Sequence, residues 1–245
     1  MMRAGLHYLP LVLIALAWEA VARLGVFSLL PAPSAIAVSW LQLLEDGDLV
    51  SNGLASIYRG AAGLALAIVV GSSIGISMAW WRSIQFLLNP IVEMLYPLPK
   101  SALIPVTAIW LGYGDGSKIL LIFLGCMLPV TIGAYNGARS TDNVLIWSAR
   151  AMGASRLRTL IDVAVPSALP ELLNGIRVAI ALTFVLLVSA ELIVASAGLG
   201  YLIGLLGASG VYPAMFAVVL TLAFLGFAAD RLYLMAAQRI LRWRG

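Results

Sequence analysis

The sequence predicts an all-α, polytopic membrane protein with about six transmembrane helices. Of its 245 residues, 62% are hydrophobic and only 11% are charged, whereas soluble domains carry about 25% charged residues. The mean hydropathy is +1.02. Residues 60–81 and 119–138 are free of charged side chains over the roughly 20 positions that a helix needs to cross the hydrocarbon. Their apolar residues run continuously and do not alternate, which favours helices over barrel strands.

Apolar runs place the six spans at residues 8–24, 60–81, 87–110, 118–138, 171–194 and 214–236. The amino-terminal run is similar to a signal peptide, but no small-residue cleavage site follows it, so we expect an uncleaved helix. Basic residues accumulate on the cytoplasmic side of a bilayer. Only Arg23, Arg59 and Lys118 fall outside when the amino terminus is cytoplasmic, and Lys100 is left within a span. We therefore expect one transmembrane domain, 1–245, in a bacterial inner membrane, with both termini in the cytoplasm.

Two regions between the spans have their own pattern. Residues 25–57, predicted to be periplasmic, contain an amphipathic stretch that starts near Pro33 and ends in solvent at the acidic cluster 45–48. We expect this stretch to be a helix lying at the membrane surface. The charge-free run 192–229 is too long for one span. Its glycine-rich middle, 196–213, predicts an outer loop or a short re-entrant helix covered by protein or water.

The predicted cytoplasmic loop 139–170 has glycine and proline residues at positions that a solvated connection does not require. Gly153 permits a tight turn that a side chain would resist, so we expect a helix to break there. A second helical segment, 157–165, is expected to end before Pro166, and Pro170 suits the first turn of the next span. A plain solvated loop would account for the arginines but not for these glycine and proline positions. Two short helices at an angle favour docking into a groove of another protein.

This loop resembles the cytoplasmic coupling motif of binding-protein-dependent ABC importer permeases. That motif reads Glu-Ala-Ala, three residues, Gly, nine residues, and Ile-x-Leu-Pro. Residues 147–149 (Trp-Ser-Ala), Gly153 and residues 163–166 (Val-Ala-Val-Pro) keep the spacing, with Trp147 where the family usually has glutamate. The resemblance implies that the following residues couple the chain to an ATPase: Trp147, Ser148, Ala149, Arg150, Met152, Gly153, Ala154, Arg156 and Pro166.

Stretches from the whole chain point to one branch of that family. LLPAPSAIAVSW, NPIVEMLYPLPKSALIPVTAIWLGYGDGSKI and SAELIVASAGLGYLI resemble the nitrate, sulfonate, taurine and bicarbonate permeases. The resemblance implies a type I, MetI-like permease fold and a homodimer. It also implies two ABC ATPase subunits that bind ATP and Mg²⁺, and a periplasmic or lipid-anchored solute-binding protein. The chain itself is then a non-enzymatic subunit that binds no cofactor, and no P-loop motif occurs in its sequence.

Ionisable residues within the spans are candidates for the translocation pathway. A charge at a helix centre costs roughly 2.5–3.5 kcal/mol on insertion scales, so such residues are functional candidates. Prolines on either side of Lys100 remove backbone donors and predict an interrupted helix facing a cavity. The predicted pathway residues are Glu93, Pro97, Pro99, Lys100 and Glu191. In the alternative, Lys100 pairs with Glu93 or Glu191 and only fixes helix packing.

The predicted function is the transmembrane subunit of an ATP-driven importer that moves a small anionic solute into the cytoplasm by alternating access. Sulfonate or taurine, nitrate and bicarbonate are the candidate solutes. The same architecture also suits a vitamin precursor or an aromatic acid. In a different class, a secondary transporter or channel would use the charged span residues for ion coupling, but no inverted pair of broken segments is visible. An intramembrane enzyme is disfavoured because His7 is the single histidine, and we expect no metal site and no nucleic-acid partner.

Overall fold

A computed structural model describes residues 2–25 and 29–244, without the side chains of residues 2–9, 11 and 244, so His7 lies outside the described side chains. All regular structure in this part of the chain is helical, as the sequence predicts. The helices are α1 (Met2–Arg23), α2 (Pro33–Glu45), α3 (Asp48–Trp80), α4 (Arg82–Leu95), α5 (Ile104–Leu111), α6 (Asp115–Arg139), α7 (Asn143–Ala151), α8 (Arg156–Thr159), α9 (Val165–Val194), α10 (Leu199–Ala208) and α11 (Tyr212–Ile240). Two 3₁₀ turns, Lys100–Leu103 and Arg242–Arg244, and a π turn, Leu160–Ala164, complete the described secondary structure.

Four helices of the described chain are long and apolar enough to cross a membrane: α3, α6, the continuous helix Arg156–Val194, and α11. Helix α1 occupies the predicted first span. The predicted third span, 87–110, is divided between α4 and α5, with a break after Leu95. Prolines in and after this break cannot donate a backbone hydrogen bond, which is the interruption expected from the sequence.

Helix α3 begins at Asp48, well before the predicted start at residue 60, so the later part of the predicted outer segment is helical. Its 33 residues extend about 50 Å at 1.5 Å per residue, which exceeds the roughly 30 Å of hydrocarbon. The helix continues through the polar residues Ser56 and Arg59, which the sequence suggested would lie outside the span. Both are buried and have polar partners on other helices. Helix α2 has the predicted start and end, but it does more than lie at a surface. Its Ile36 and Leu43 are buried in a cluster with residues of α10 and α11.

Helices α3, α6 and α9 form the main core, with α6 packed between the other two. Small residues allow the backbones to approach closely at these contacts. A Cβ atom on Gly75 would lie 2.3 Å from the carbonyl oxygen of Thr131, and one on Gly175 would lie 2.5 Å from that of Pro129. Larger residues at Gly75 or Gly175 would therefore separate the three helices. Helix α11 joins this core through a two-point ion pair between Arg177 and Asp230.

The helix that contains α9 begins earlier than the sequence predicted. It runs without interruption from Arg156 to Val194, so it does not end before Pro166, and Pro170 lies inside α9. A proline within a helix lacks the N–H that would bond to the carbonyl four residues earlier, and its ring presses on that carbonyl. The π turn Leu160–Ala164 widens the helix just before Pro166, and such local widening relieves this conflict. The end of the predicted cytoplasmic loop, from Arg156 onward, is thus helically continuous with α9.

Candidate coupling surface and translocation groove

Helix α7 begins and ends with well-formed caps. At its start, Asp142 accepts a hydrogen bond from the backbone N–H of Val144 at 2.8 Å. At its end, the N–H of Ala154 donates to the carbonyl of Ala149 at 3.0 Å, and the N–H of Gly153 donates to the carbonyl of Arg150 at 2.9 Å. These two bonds define a Schellman motif, in which the left-handed position is normally glycine. Gly153 occupies that position with a φ of +88°, which explains the glycine of the motif.

Helix α8 starts immediately after this turn. The hydroxyl of Ser155 accepts a hydrogen bond from the N–H of Arg158 at 3.2 Å and caps the helix. Arg156 donates from Nη2 to the carbonyl oxygen of Trp80 at 3.3 Å, so the end of α3 is tied to α8. We call residues 142–160 the elbow. The first short helix and the turn at Gly153 are as the sequence predicted, whereas α8 is the first turn of the continuous helix Arg156–Val194 and not a separate short helix.

The elbow exposes large apolar side chains. Trp147 is 66% exposed, Met152 83% and Leu157 60%. Among the predicted coupling residues, Ala149 is buried and the others are exposed or partly buried on the elbow or, for Pro166, at the start of α9. Several large apolar side chains exposed on one short segment indicate a candidate protein–protein interaction site.

A groove of about 520 Å³ lies between α6, α9 and the break that follows α4. The residues with polar side chains that line it are Tyr96, Lys100, Asn136, Glu171 and Asn174. Of the predicted pathway residues, only Lys100 lines this groove. Pro97 and Pro99 lie in the adjoining break. Glu93 is on α4, where its carboxylate accepts a hydrogen bond from Asn89 at 2.6 Å.

The side chain of Lys100 closes the broken end of α4. Its Nζ donates to the carbonyl oxygens of Leu95 at 2.6 Å, Tyr96 at 3.1 Å and Leu98 at 2.8 Å. A lysine ammonium has three donors, so all three are engaged here. A cation is also favourable at the negative end of a helix. The alternative in which Lys100 pairs with Glu93 or Glu191 is wrong in this structure, because backbone carbonyls take the place of the carboxylates.

Glu191 pairs instead with Arg59, which the sequence analysis had placed outside the spans. Arg59 donates from Nη1 to Glu191 Oε1 at 2.7 Å and from Nε to Asp115 Oδ1 at 2.7 Å. The hydroxyl of Ser56 donates to the same Glu191 carboxylate, with oxygen separations of 2.8 and 2.9 Å. Glu191 is 1% exposed. Glu191 therefore lies in a buried polar cluster, separate from the residues that line the Lys100 groove.

This Arg59–Glu191 cluster also holds the start of α10. The backbone N–H of Gly200 donates to Glu191 at 3.0 Å, and that of Leu199 donates to Ser56 at 2.8 Å. These N–H groups have no partner within a helix, and a carboxylate is favourable beside them. Gly198 has a φ of +119°, and a Cβ atom there would lie 2.3 Å from the Glu191 carboxyl. The short helix expected in residues 196–213 is therefore fixed to α3 and α9.

Sequence reasoning missed the buried roles of Arg59 and Lys118 because it treated charges as ends of spans, and it assigned no role to Ser56. Asn52 also belongs to this cluster, since its side-chain oxygen accepts a hydrogen bond from the N–H of Gly198 at 2.7 Å. The spacing of Asn52, Ser56 and Arg59 was an available signal, since residues three and four apart share one helix face. Lys118 is also buried, and its ammonium donates to the carbonyls of Tyr113 and Gly114. Within the described residues, no three His, Cys, Asp or Glu side chains are grouped to hold a metal ion.

An all-helical bundle with several apolar spans, exposed apolar side chains on the elbow and a polar groove between candidate spans is typical of a membrane transport subunit. Two solved structures of the MetNI methionine ABC transporter in inward-facing conformations share the fold. One superposes with a TM-score of 0.64 at 22% identity and covers 80% of this chain and 95% of that chain. The other gives a TM-score of 0.62 at 21% identity, with coverage of 77% and 92%. The type I, MetI-like fold expected from the sequence is confirmed.

Residues 63–242 match the family described as binding-protein-dependent transport system inner membrane component. The taurine transport system permease protein TauC of Escherichia coli (strain K12) is 37% identical over 93% of this chain and 86% of its own length. A relative from Bacillus subtilis (strain 168), named for aliphatic sulfonates transport, is 34% identical over 96% of this chain and 86% of its own length. The chain belongs to this family. It is a multi-pass, non-catalytic permease component of an ABC importer.

Proposed function

We propose that this permease carries a small organic anion of the sulfonate and taurine class into the cytoplasm by alternating access. Two observations support the solute class. The relatives named above are assigned by name to taurine and to aliphatic sulfonates, and they align with nearly the whole chain. In addition, the groove beside the broken α4 combines donors and charges that suit such a solute.

The groove offers complementary chemistry for a zwitterion such as taurine. The amide groups of Asn136 and Asn174 can donate to sulfonate oxygens, and the carboxylate of Glu171 can accept from an ammonium group. Lys100 adds positive charge, although its hydrogen bonds are directed to backbone carbonyls. An alkyl sulfonate without the ammonium would use the amides and the lysine charge alone.

The elbow is the proposed contact with the ATPase. In the proposed orientation both termini and the elbow are cytoplasmic, and the Arg59–Glu191 cluster is near the opposite face. Two copies of the chain would each present an elbow to one of two ATPase subunits, which bind ATP and Mg²⁺. A solute-binding protein would deliver the solute from the periplasm. The exposure of Trp147, Met152 and Leu157 supports this docking role, because buried aromatic and methionine side chains are enriched in protein interfaces.

The continuous helix Arg156–Val194 supports a mechanical link from the elbow to the groove. The same helix carries Glu171 and Asn174 in the groove and Glu191 at its far end. Closure of the ATPase subunits would displace the elbow, and a rigid helix transmits that displacement to the groove residues. In this proposal, ATP binding and hydrolysis alternate the side of the membrane from which the groove is open.

Uptake by the reconstituted complex tests the proposal. The permease, its ATPase and its binding protein are placed in proteoliposomes, and ATP-dependent uptake of taurine, ethanesulfonate, nitrate and bicarbonate is measured beside a neutral vitamin precursor and an aromatic acid. We expect taurine or ethanesulfonate to be taken up and the neutral compound to be excluded. Uptake of the vitamin precursor or aromatic acid alone would retain the family assignment and reject the solute class. Uptake by the permease without its ATPase would reject the ATP-driven mechanism.

A further inference from the structure

A second polar pocket, of about 780 Å³, lies between the end of α3, the start of α4 and the end of α6. It shares no lining residue with the Lys100 groove. None of the described residues that line it is acidic. Its main side chains are Trp80, Arg82, Gln85, Phe86, Asn89 and Arg139.

The two arginines leave the pocket with uncompensated positive charge. Neither Arg82 nor Arg139 forms an ion pair with a carboxylate of the described residues. The guanidinium of Arg139 lies 5.9 Å from the centre of the Tyr135 ring, and the hydroxyl of Tyr135 accepts a hydrogen bond from Gln85 at 2.7 Å. Two guanidinium groups that face one pocket favour an anion with several acceptor oxygens.

Trp80 adds an aromatic residue to the wall beside these arginines. Its indole Nε1 is buried and has no hydrogen-bond partner among the described residues. Because a water-sized acceptor in the pocket does not reach a buried atom, this N–H is not a contact for a ligand there. The ligand chemistry of the pocket is therefore set by the two arginines, with aromatic and apolar side chains around them.

We propose that this pocket binds the phosphate headgroup of an anionic phospholipid from the inner leaflet. The inference rests on the orientation given in the proposed function, which puts the ends of α3 and α6 on the cytoplasmic side. Basic pockets between transmembrane helices on that side suit anionic headgroups, and tryptophan is enriched at the membrane–water interface. Phe86 and the neighbouring apolar residues Ala79 and Pro90 provide a wall for the glycerol and upper acyl carbons. A free phosphate ion would leave that wall uncovered.

The bound lipid would act on the elbow through Trp80. The carbonyl of Trp80 holds Arg156 of the elbow, while its indole lines the pocket. A headgroup that anchors Arg82 and Arg139 beside Trp80 therefore stabilises the end of α3 on which α8 rests.

Native mass spectrometry of the intact transporter tests the proposal. The purified complex is exchanged into phosphatidylglycerol or phosphatidylethanolamine, and the lipids retained per complex are counted. We expect the wild type to retain phosphatidylglycerol preferentially. The double variant Arg82→Gln/Arg139→Gln should reduce that preference about 30-fold, at about fivefold for each surface arginine. The control Arg239→Gln/Arg242→Gln removes the same charge from exposed positions at the end of the chain and should leave the preference unchanged.

A third variant and a soluble anion complete the test. Trp80→Phe keeps both charges and an aromatic ring and removes only a buried N–H, so it should leave the preference unchanged. Equal retention of the two lipids by the wild type, or an equal loss in the control pair, would overturn the proposal. Inorganic phosphate is also added to the complex in phosphatidylethanolamine, and thermal stability is measured. If phosphate stabilises the wild type as much as phosphatidylglycerol does, and does not stabilise the Arg82/Arg139 variant, the pocket binds a soluble anion instead. Lipid retention is measured without transport. The lipid proposal can therefore be rejected while ATP-driven uptake, and with it the proposed function, is retained.

Discussion

Arg59 and Glu191 form an ion pair of 2.7 Å between α3 and α9, with their side chains 7% and 0% exposed. They lie 132 positions apart in the sequence, yet each is the main charged partner of the other in the buried cluster. The pair joins the elongated α3 to the far end of the helix that begins at the elbow. The start of α10 is fixed to the same carboxylate.

Removing one member of this pair should strongly destabilise the protein. Arg59→Met leaves the Glu191 charge buried without its cation, which typically costs about 3–5 kcal/mol. Glu191→Gln should cost a similar amount, and the double variant should cost clearly less than the sum of the two. The measurement is the free energy of unfolding in detergent by denaturant titration. Asp115→Asn is the matched control, because that carboxylate is 53% exposed and exposed pairs contribute about 0–1 kcal/mol. Strict additivity of the two single variants would contradict the assigned pairing.

The turn at Gly153 should be needed for coupling but not for insertion. Gly153→Val forces a β-branched residue into the left-handed region, at about 1–2 kcal/mol, although no atom lies within 4 Å of the new Cβ. We expect loss of uptake and of solute-stimulated ATP hydrolysis in proteoliposomes, with normal amounts of protein in the membrane. Gly47→Val is the control, because Gly47 has a φ of +79° and the same open surroundings, but it lies between α2 and α3. Unchanged uptake by Gly153→Val would remove the elbow from the mechanism.

The exposed apolar side chains of the elbow should hold the ATPase. Met152→Asp replaces a side chain that is 83% exposed in the isolated chain with a charge that would be buried in the complex. If Met152 is a hot spot of the interface, its loss costs about 2 kcal/mol or more, so we expect about a thirtyfold drop in ATPase co-purification. Leu29→Asp is the control, since Leu29 is 61% exposed and lies before α2. Equal co-purification of the two variants would place the docking surface elsewhere.

Substitution of Lys100 separates its charge from its hydrogen bonds. Lys100→Gln keeps a donor for the carbonyls at the end of α4 but removes the positive charge, and Lys100→Ala removes both. If the charge attracts the solute, Lys100→Gln should lower the uptake of an anionic sulfonate about fivefold, because even a partly screened charge contributes about 1 kcal/mol at short range. Thermal stability should fall only in Lys100→Ala. Wild-type uptake by Lys100→Gln would make Lys100 a structural cap alone.

Local chemistry explains which features the sequence could predict. The break at Gly153 and the interruption around Pro97 and Pro99 depend on backbone rules that act over a few residues, and both are present. The pairing of Arg59 with Glu191 depends on contact between distant helices, so a single sequence did not reveal it. Charges were interpreted as ends of spans, and this placed the start of α3 too late. Pro166 was interpreted as a helix stop, whereas the π turn before it lets the helix continue.

Because the helix from Arg156 to Val194 is unbroken, the number of residues between the elbow and the groove is constrained as well as their identity. Each residue of an α-helix adds about 100° of rotation. An insertion or deletion of a single residue between Pro166 and Glu171 would turn the elbow by a little more than a quarter of a revolution relative to the groove, even though every other side chain remained unchanged. Engineered hybrids between permeases of this architecture should therefore be joined outside this helix, so that the rotation between the elbow and the groove is unchanged.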